Sequence, residues 1–218
     1  MKSTRVVKCK CGKTKDPNGN CDGSHAKPQS KLTRLSLALM FLLGGFVLQS
    51  FAPSDNINVK SSTIEWKGEK VVGSHEGTIS LKSAGLIYEG KKLTGGSFVI
   101  DMTSITCTDL TGEYKSNLEG HLKSDDFFST SNYPTANLVI TKVSKPTKDN
   151  YNISAKLTIK GITQNIDFVA KVNGKTLSTT LVIDRTKFNI KYGSGSFFDS
   201  LGDNMIYDDF ELKVKLEI

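Results

Sequence analysis

Alternation of apolar and polar residues dominates the sequence after residue 56. The last nine residues, Phe210–Ile218, alternate without a break, which is the period of a β-strand with one buried face. Turn signals such as Asn173-Gly174 separate further runs of the same kind. The runs have these residues on one face: Phe98, Ile100 and Met102; Ala136, Leu138 and Ile140; Ala155, Leu157 and Ile159; Ile166, Phe168 and Ala170; Leu181 and Ile183. About eight strands predict an all-β antiparallel sandwich or closed barrel, with weak helical periodicity only at residues 116–128.

An uncharged stretch at residues 35–52 precedes the strands. As a helix it would be about 27 Å long, close to the hydrocarbon thickness of a bilayer. Lys27, Lys31 and Arg34 come just before it, so the positive-inside rule predicts a cytoplasmic N-terminus and a periplasmic or extracellular domain, with the inner membrane between them. A cleaved signal, which would leave a soluble periplasmic or secreted domain, is the alternative. The 34-residue leader and the position of Pro53 favour an uncleaved, single-pass anchor.

The basic character of the chain belongs to its N-terminal tail. The formal net charge of the 218 residues is +7. Residues 1–34 contain nine Lys or Arg and two Asp, so the rest holds twenty basic and twenty acidic side chains and is neutral. Nucleic acid is therefore not an expected partner. The chain divides into a basic tail at 1–34, an anchor or signal at 35–52 and a β domain at 53–218.

Several motifs within residues 57–218 occur in the order found in the YceI family, which this part of the chain resembles. They are Trp66-x-Gly68, then residues 72–78, 96–105 and 118–128, followed by Tyr133-Pro134, residues 157–163 and residues 184–193. The resemblance implies an eight-stranded antiparallel, lipocalin-like barrel that binds, stores or transports a polyisoprenoid lipid, such as a quinone. It also implies a periplasmic or secreted carrier and not an enzyme.

The resemblance implies a long apolar cavity inside the barrel. An eight-stranded barrel is wide enough to hold one small ligand, and burial of apolar surface is favourable by about 25 cal/mol per Å². The side chains expected to line the cavity are Trp66, Phe98, Ile100, Met102, Phe127, Phe128, Leu138, Leu157, Ile159, Phe168, Ile183 and Phe188. The alternative is that these side chains fill the barrel. The protein would then be a membrane-anchored interaction module with a packed interior and no lipid ligand.

Two polar residues are candidates for contact with the head group of such a ligand. His121 lies in the 118–128 motif, and Arg185 has the same strand parity as Leu181 and Ile183, so its side chain is expected to point inward. A structural histidine and a buried ion pair between Arg185 and an aspartate are the alternatives. We expect no catalytic residues, because the sequence contains no Ser-His-Asp constellation, P-loop or Gly-rich dinucleotide fingerprint.

Four residues of the N-terminal tail resemble the CDGSH iron–sulfur motif. Cys9, Cys11, Cys21 and His25 match its ligand set of three cysteines and one histidine. The resemblance implies a [2Fe–2S] cluster and a homodimer around the clusters. The cytoplasmic side suits such a cluster because thiols stay reduced there, and the co-occurrence of the two motifs suggests a redox link to a quinone-type lipid. The spacing from Cys11 to Cys21 is one residue longer than usual, and so short a tail would need the metal to supply much of its folding free energy. Zinc on the same four ligands and a disordered tail without metal are the alternatives.

Overall fold

The computed structural model describes residues 54–144 and 149–218, together with Lys8, Lys10, Pro17, Asn18 and Asn20 of the tail. The chain divides into two compact units, Met1–Gln49 and Ser50–Ile218. In the first unit, the backbones of Lys8 and Asn20 form an isolated antiparallel bridge. The predicted anchor at 35–52 and the predicted metal ligands Cys9, Cys11, Cys21 and His25 lie outside the described residues. Within those residues, the structure has no helix that is long and apolar enough to cross a membrane.

The second unit is built from β-strands and one α-helix. The strands are β1 (Ser54–Asn58), β2 (Ser61–Lys70), β3 (Ser74–Glu89), β4 (Lys92–Cys107), β5 (Thr135–Val143), β6 (Asn150–Ile159), β7 (Ile162–Asn173), β8 (Thr176–Asp184) and β9 (Ile206–Glu217). Helix α1 (Gly112–Lys123) lies between β4 and β5. Two short 3₁₀ turns, Arg185–Phe188 and Gly202–Asn204, lie between β8 and β9.

These strands form a closed, antiparallel, eight-stranded barrel. The sheet order is β1-β3-β2-β9-β8-β7-β6-β5-β4, and β4 also pairs with β3, which closes the ring. β1 and β2 are two parts of one barrel strand because both keep the same register against β3, from the Ser54–Glu89 pair to the Glu69–Ser74 pair. The strand is interrupted between them, where the Lys60 backbone N–H donates to Glu217 of β9 instead of to β3. The predicted all-β barrel is confirmed.

One junction in the ring has little backbone pairing. β6 and β7 pair along their whole length, from Asn150–Lys171 to Ile159–Ile162, and β8 and β9 also pair throughout. Between β7 and β8 the pairing runs only from Asn173–Thr176 to Lys171–Ser178, although both strands continue well beyond it. The β7–β8 junction therefore lacks a hydrogen-bonded ladder over most of its length.

The two ends of the barrel carry different elements. At the end where β4 stops and β5 starts, α1 and the connection 185–205 cover the barrel, and we call this the helix end. The opposite end, which we call the hairpin end, carries the tight turns after β3 and after β7. Gly90 and Gly174 have a φ of 60° in these two turns, a conformation that favours glycine. The barrel axis therefore runs from a covered end to an end of short hairpins.

Candidate ligand-binding cavity

A cavity of about 180 Å³ lies inside the barrel. All eight barrel strands and the segment after α1 contribute to its wall, which is almost entirely aliphatic and aromatic. Inward-facing wall residues such as Phe98, Phe168 and Val214 pack against the buried core but are themselves only partly buried, because they also face this space. The packed interior that we considered as an alternative is not what the structure shows.

The structure places all but one of the residues expected on the wall in that position. These are Trp66, Phe98, Ile100, Met102, Phe127, Phe128, Leu138, Leu157, Ile159, Phe168 and Ile183. Phe188 is the exception, since it is fully buried but not part of the wall. The alternation of inward and outward residues in a strand does not apply to Phe188, because β8 ends at Asp184 and the chain continues as a 3₁₀ turn. That these side chains contact a ligand remains a prediction.

Sequence reasoning left several wall residues unnamed. The largest group belongs to the final strand, where Phe210, Leu212, Val214 and Leu216 all face the cavity. The unbroken alternation of this strand indicates which of its residues face inward, and these residues could have been predicted as part of the wall. Leu122 of α1 also lies on the wall and is the one buried residue of the helix. A helix with a single buried residue has no apolar stripe to detect in sequence.

Aromatic rings close the helix end. His121 packs edge-on against Phe127, with ring centroids 5.1 Å apart, and against Tyr192, with centroids 4.4 Å apart. Phe127 and Phe128 are part of the cavity wall, but His121 and Tyr192 are not. His121 therefore lies behind the wall, where it joins α1 to the connection 185–205. The structure favours a packing role for His121 over the head-group contact that we expected.

Arg185 lies on the wall at the helix end and is 3% exposed. Its Nε donates to the backbone oxygen of Tyr207 at 3.1 Å, its Nη1 to that of Ile190 at 2.9 Å and its Nη2 to that of Ile206 at 3.0 Å. These bonds tie the end of β8 to the start of β9. They use three of the five N–H groups of the guanidinium.

The charge of Arg185 is balanced by nearby carboxylates. Asp208 Oδ1 lies 3.6 Å from Nη2 and, among the described residues, has no hydrogen-bond partner of its own although it is buried. Burial lowers the pKa of Arg185, and the negative charges of Asp208 and Asp184 oppose this. Arg185 therefore pairs with an aspartate, as one interpretation of the sequence expected, and its contact with a head group remains a prediction.

A second polar cluster, outside the cavity, is centred on Asp109. Its carboxylate accepts a hydrogen bond from Cys107 Sγ at 2.9 Å and from the Glu76 backbone N–H at 3.2 Å, and it lies 2.9 Å from His75 Nδ1. Burial raises the pKa of the Cys107 thiol, which is fully enclosed, so this cysteine is not a nucleophile. Among the described residues, no group of three or more His, Cys, Asp or Glu side chains is arranged to hold a metal ion.

A family model of the YceI-like domain matches residues 56–218. The chain belongs to the YceI family. Comparison with curated proteins gives no match. Several solved structures are similar to this chain, among them the following two. BcnA of Burkholderia cenocepacia is 24% identical with a TM-score of 0.56, and the alignment covers 71% of this chain and 94% of BcnA.

The second structure is from Saccharophagus degradans and is described as a polyisoprenoid binding domain implicated in plant cell wall breakdown. It is 14% identical with a TM-score of 0.50, and the alignment covers 73% of this chain and 95% of that domain. At these identities the likeness shows the fold. The ordered motifs that suggested a YceI-like barrel are thus confirmed as a family relationship.

Proposed function

We propose that the YceI-like barrel binds a polyisoprenoid lipid in its cavity and acts as a carrier or store for it, not as an enzyme. The observation that supports this most strongly is the cavity itself, which is enclosed by strands and lined by aliphatic and aromatic side chains. Such a wall offers hydrocarbon an environment that is favourable by about 25 cal/mol per Å² of surface removed from water. The ligand described for the Saccharophagus degradans relative agrees with this proposal.

The charges at the helix end support a neutral, quinone-type head group. Arg185 lies on the wall at this end, whereas the wall near the hairpin end is formed by residues such as Leu86 and Leu216. The guanidinium is already paired with Asp208, and Asp184 is paired with Lys187, so an added diphosphate would have to compete with these carboxylates. A carbonyl oxygen could instead accept an unused guanidinium N–H without adding charge.

Lipid binding is tested by extraction of the purified full-length protein into organic solvent, followed by mass spectrometry. We expect a stoichiometric prenyl lipid in the wild type. Leu138→Trp places an indole in the cavity and should reduce the lipid content at least about tenfold, since the added volume displaces ligand. Val139→Trp is the matched control, because this adjacent residue points outward and is 47% exposed. A wild type that carries no lipid and takes up none would overturn the proposal.

We further propose that Cys9, Cys11, Cys21 and His25 hold a [2Fe–2S] cluster, in a homodimer, with a redox link to the bound lipid. The resemblance to the CDGSH motif supports this, and so does the Lys8–Asn20 bridge, which pairs the two residues that precede Cys9 and Cys21. When bound, the cluster would supply one-electron transfer.

Metal analysis and visible absorption of the full-length protein test the cluster, and Cys21→Ser should abolish the absorption bands. Zinc without iron, or no metal, would contradict it.

Residues 35–52 are proposed to anchor the protein in the inner membrane, with the tail in the cytoplasm and the barrel outside. The support is the uncharged stretch and the three basic residues just before it. Detergent should be required to release the protein from membranes, and protease added to spheroplasts should reach the barrel but not the tail. A mature N-terminus after residue 52 would instead show cleavage.

A further inference from the structure

The β7–β8 junction is held by side chains where the backbone ladder is missing. Beyond the Lys171–Ser178 pair, Thr179 Oγ1 donates to the backbone oxygen of Val169 at 2.8 Å. Farther along, Gln164 Nε2 donates to the backbone oxygen of Lys187 at 3.1 Å. Elsewhere around the ring, neighbouring strands are joined by backbone ladders of several consecutive pairs. Separation of β7 from β8 therefore breaks fewer backbone pairs than separation of any other two neighbouring strands.

This junction borders directly on the cavity. Phe168 of β7 and Thr179, Leu181 and Ile183 of β8 are all part of the wall. On the outer surface, Val169 is 54% exposed and Val182 is 65% exposed, so apolar side chains lie on both faces of the junction. A hydrocarbon that passed between the two strands would meet apolar side chains on the outer surface and again on the cavity wall.

Both ends of the barrel are closed more firmly than the β7–β8 junction. At the hairpin end, Leu86, Leu93, Leu177 and Leu216 are at most 4% exposed and fill the space between the turns. At the helix end, entry would have to displace Phe127 and the connection that Arg185 fixes with three hydrogen bonds. Opening either end disrupts packed side chains or several hydrogen bonds at once.

We propose that the lipid enters and leaves the cavity through the β7–β8 junction, which acts as a side portal. The proposal rests on the proposed lipid binding. Thr179 and Gln164 act as a latch, because their side chains donate the hydrogen bonds that cross the junction beyond the last backbone pair. The chain segments on either side stay anchored, β7 by its ladder with β6 and β8 by its ladder with β9.

A disulfide across the junction tests the portal. Val169 and Thr180 would face each other if the β7–β8 register continued for two more positions, and both side chains are exposed. The full-length Val169→Cys/Thr180→Cys variant is loaded with menaquinone-4, and transfer to phosphatidylcholine vesicles is followed by the fluorescence of Trp66, the single tryptophan. We expect oxidation to slow transfer at least about tenfold and reduction to restore it. Wild-type protein that has undergone the same oxidation is the control for any effect of oxidising the cysteines in the tail.

An isosteric substitution gives an independent test without a cross-link. Thr179→Val removes one side-chain hydrogen bond from the junction and should speed transfer about three- to tenfold, the factor that corresponds to one net hydrogen bond. Thr158→Val is the matched control, because it removes the 2.8 Å hydrogen bond between Thr158 and Thr163, where β6 and β7 keep their full ladder. Equilibrium binding of menaquinone-4 to each variant separates a change in rate from a change in affinity.

The outcomes separate failure of the portal from failure of lipid binding. If the wild type binds no prenyl lipid, the proposed function fails, and the portal fails with it. If the wild type binds menaquinone-4 but the oxidised variant transfers it at the wild-type rate, the portal is wrong and lipid binding stands. If the disulfide does not form, Thr179→Val decides: a rate equal to that of Thr158→Val overturns the portal.

Discussion

At the scale of single residues, Asp109 joins three parts of the barrel rim. Burial by itself raises the pKa of its carboxyl group, but hydrogen bonds from Cys107, His75 and the Glu76 backbone outweigh burial and bring the pKa to about 2. The ordinary value is 3.8. The folded protein therefore holds this carboxylate ionised at pH values where the unfolded chain would already protonate it.

This difference predicts a pH dependence of stability. The contribution of Asp109 is fully present above about pH 4 and is lost as the pH falls towards 2, because protonation then favours the unfolded chain. With its side chain 26% exposed, we expect a loss of about 1 kcal/mol in the free energy of unfolding. Urea unfolding between pH 2 and pH 6 measures it. Asp109→Asn should remove this part of the pH dependence, and Asp203→Asn, at an exposed position, should keep it. An unchanged profile for Asp109→Asn would contradict the assignment.

The positions of wall residues could be predicted from the sequence within strands, but not far beyond the ends of the strands. The parity that places Leu181 and Ile183 on the wall also places Arg185 there, one residue past the end of β8. Phe188 lies farther beyond the end of β8. It is buried because of the 3₁₀ turn, which an alternating pattern of apolar residues does not predict. His121 was equally unpredictable, because its environment is set by Tyr192, which is distant in sequence.

At the scale of elements, close contact between β2, β3 and β4 depends on one glycine. A Cβ atom on Gly77 would overlap the backbone oxygen of Thr106 and lie 2.6 Å from the ring of Trp66. The Trp66 Nε1 also donates to that Thr106 oxygen at 3.2 Å. The Trp66 ring therefore crosses β3 at Gly77, where β3 has no side chain.

Gly77→Ala should lower the free energy of unfolding by about 1–3 kcal/mol, because the ring and the strand must move apart. The same substitution should shift the emission of Trp66, the single tryptophan, since its hydrogen bond to Thr106 is disturbed. Chemical unfolding and emission spectra measure the two effects. Gly68→Ala is the control, because no atom lies within 4 Å of a Cβ built there. Equal stability of the two variants would show that the contact is not tight.

The strands could be predicted from sequence, but the missing ladder between two of them could not. Alternation along β7 and β8 is regular in both cases, with Ile166, Phe168, Leu181 and Ile183 facing inward. Alternation reports which face of a strand is buried and carries no information on whether its neighbour is hydrogen-bonded. For the same reason, the interruption between β1 and β2 was not visible in the sequence.

At the scale of the whole molecule, the cavity makes stability depend on what fills it. An unfilled apolar cavity forgoes the dispersion contacts that packed side chains would make. A barrel with a filled interior would show the same inward-facing apolar positions in its sequence. Only the three-dimensional structure distinguishes a filled interior from a cavity. A ligand that binds the folded barrel and not the unfolded chain must stabilise it.

Removal of the bound lipid should therefore lower the thermal midpoint of the barrel. Addition of menaquinone-4 at a hundred times its dissociation constant should restore about 2.7 kcal/mol. Calorimetry of delipidated and reloaded protein measures the change. Geraniol, with two prenyl units against the four of menaquinone-4, is the control ligand and at the same concentration should restore much less, because it buries less apolar surface. A midpoint that does not respond to menaquinone-4 would contradict the cavity as its binding site.

The first and last strands of the barrel are neighbours, and this sets the order of events in biosynthesis. Ser61 pairs with Glu217, and the Lys60 Nζ reaches the backbone oxygen of Ile218. The Lys60–Ile218 contact spans 158 residues, so the ring cannot close before β9 has been synthesised. Closing so long a loop is also entropically slow. The wall of the cavity is therefore complete only after β9 has paired with β2, so a hydrocarbon ligand can be enclosed only at this last step of folding.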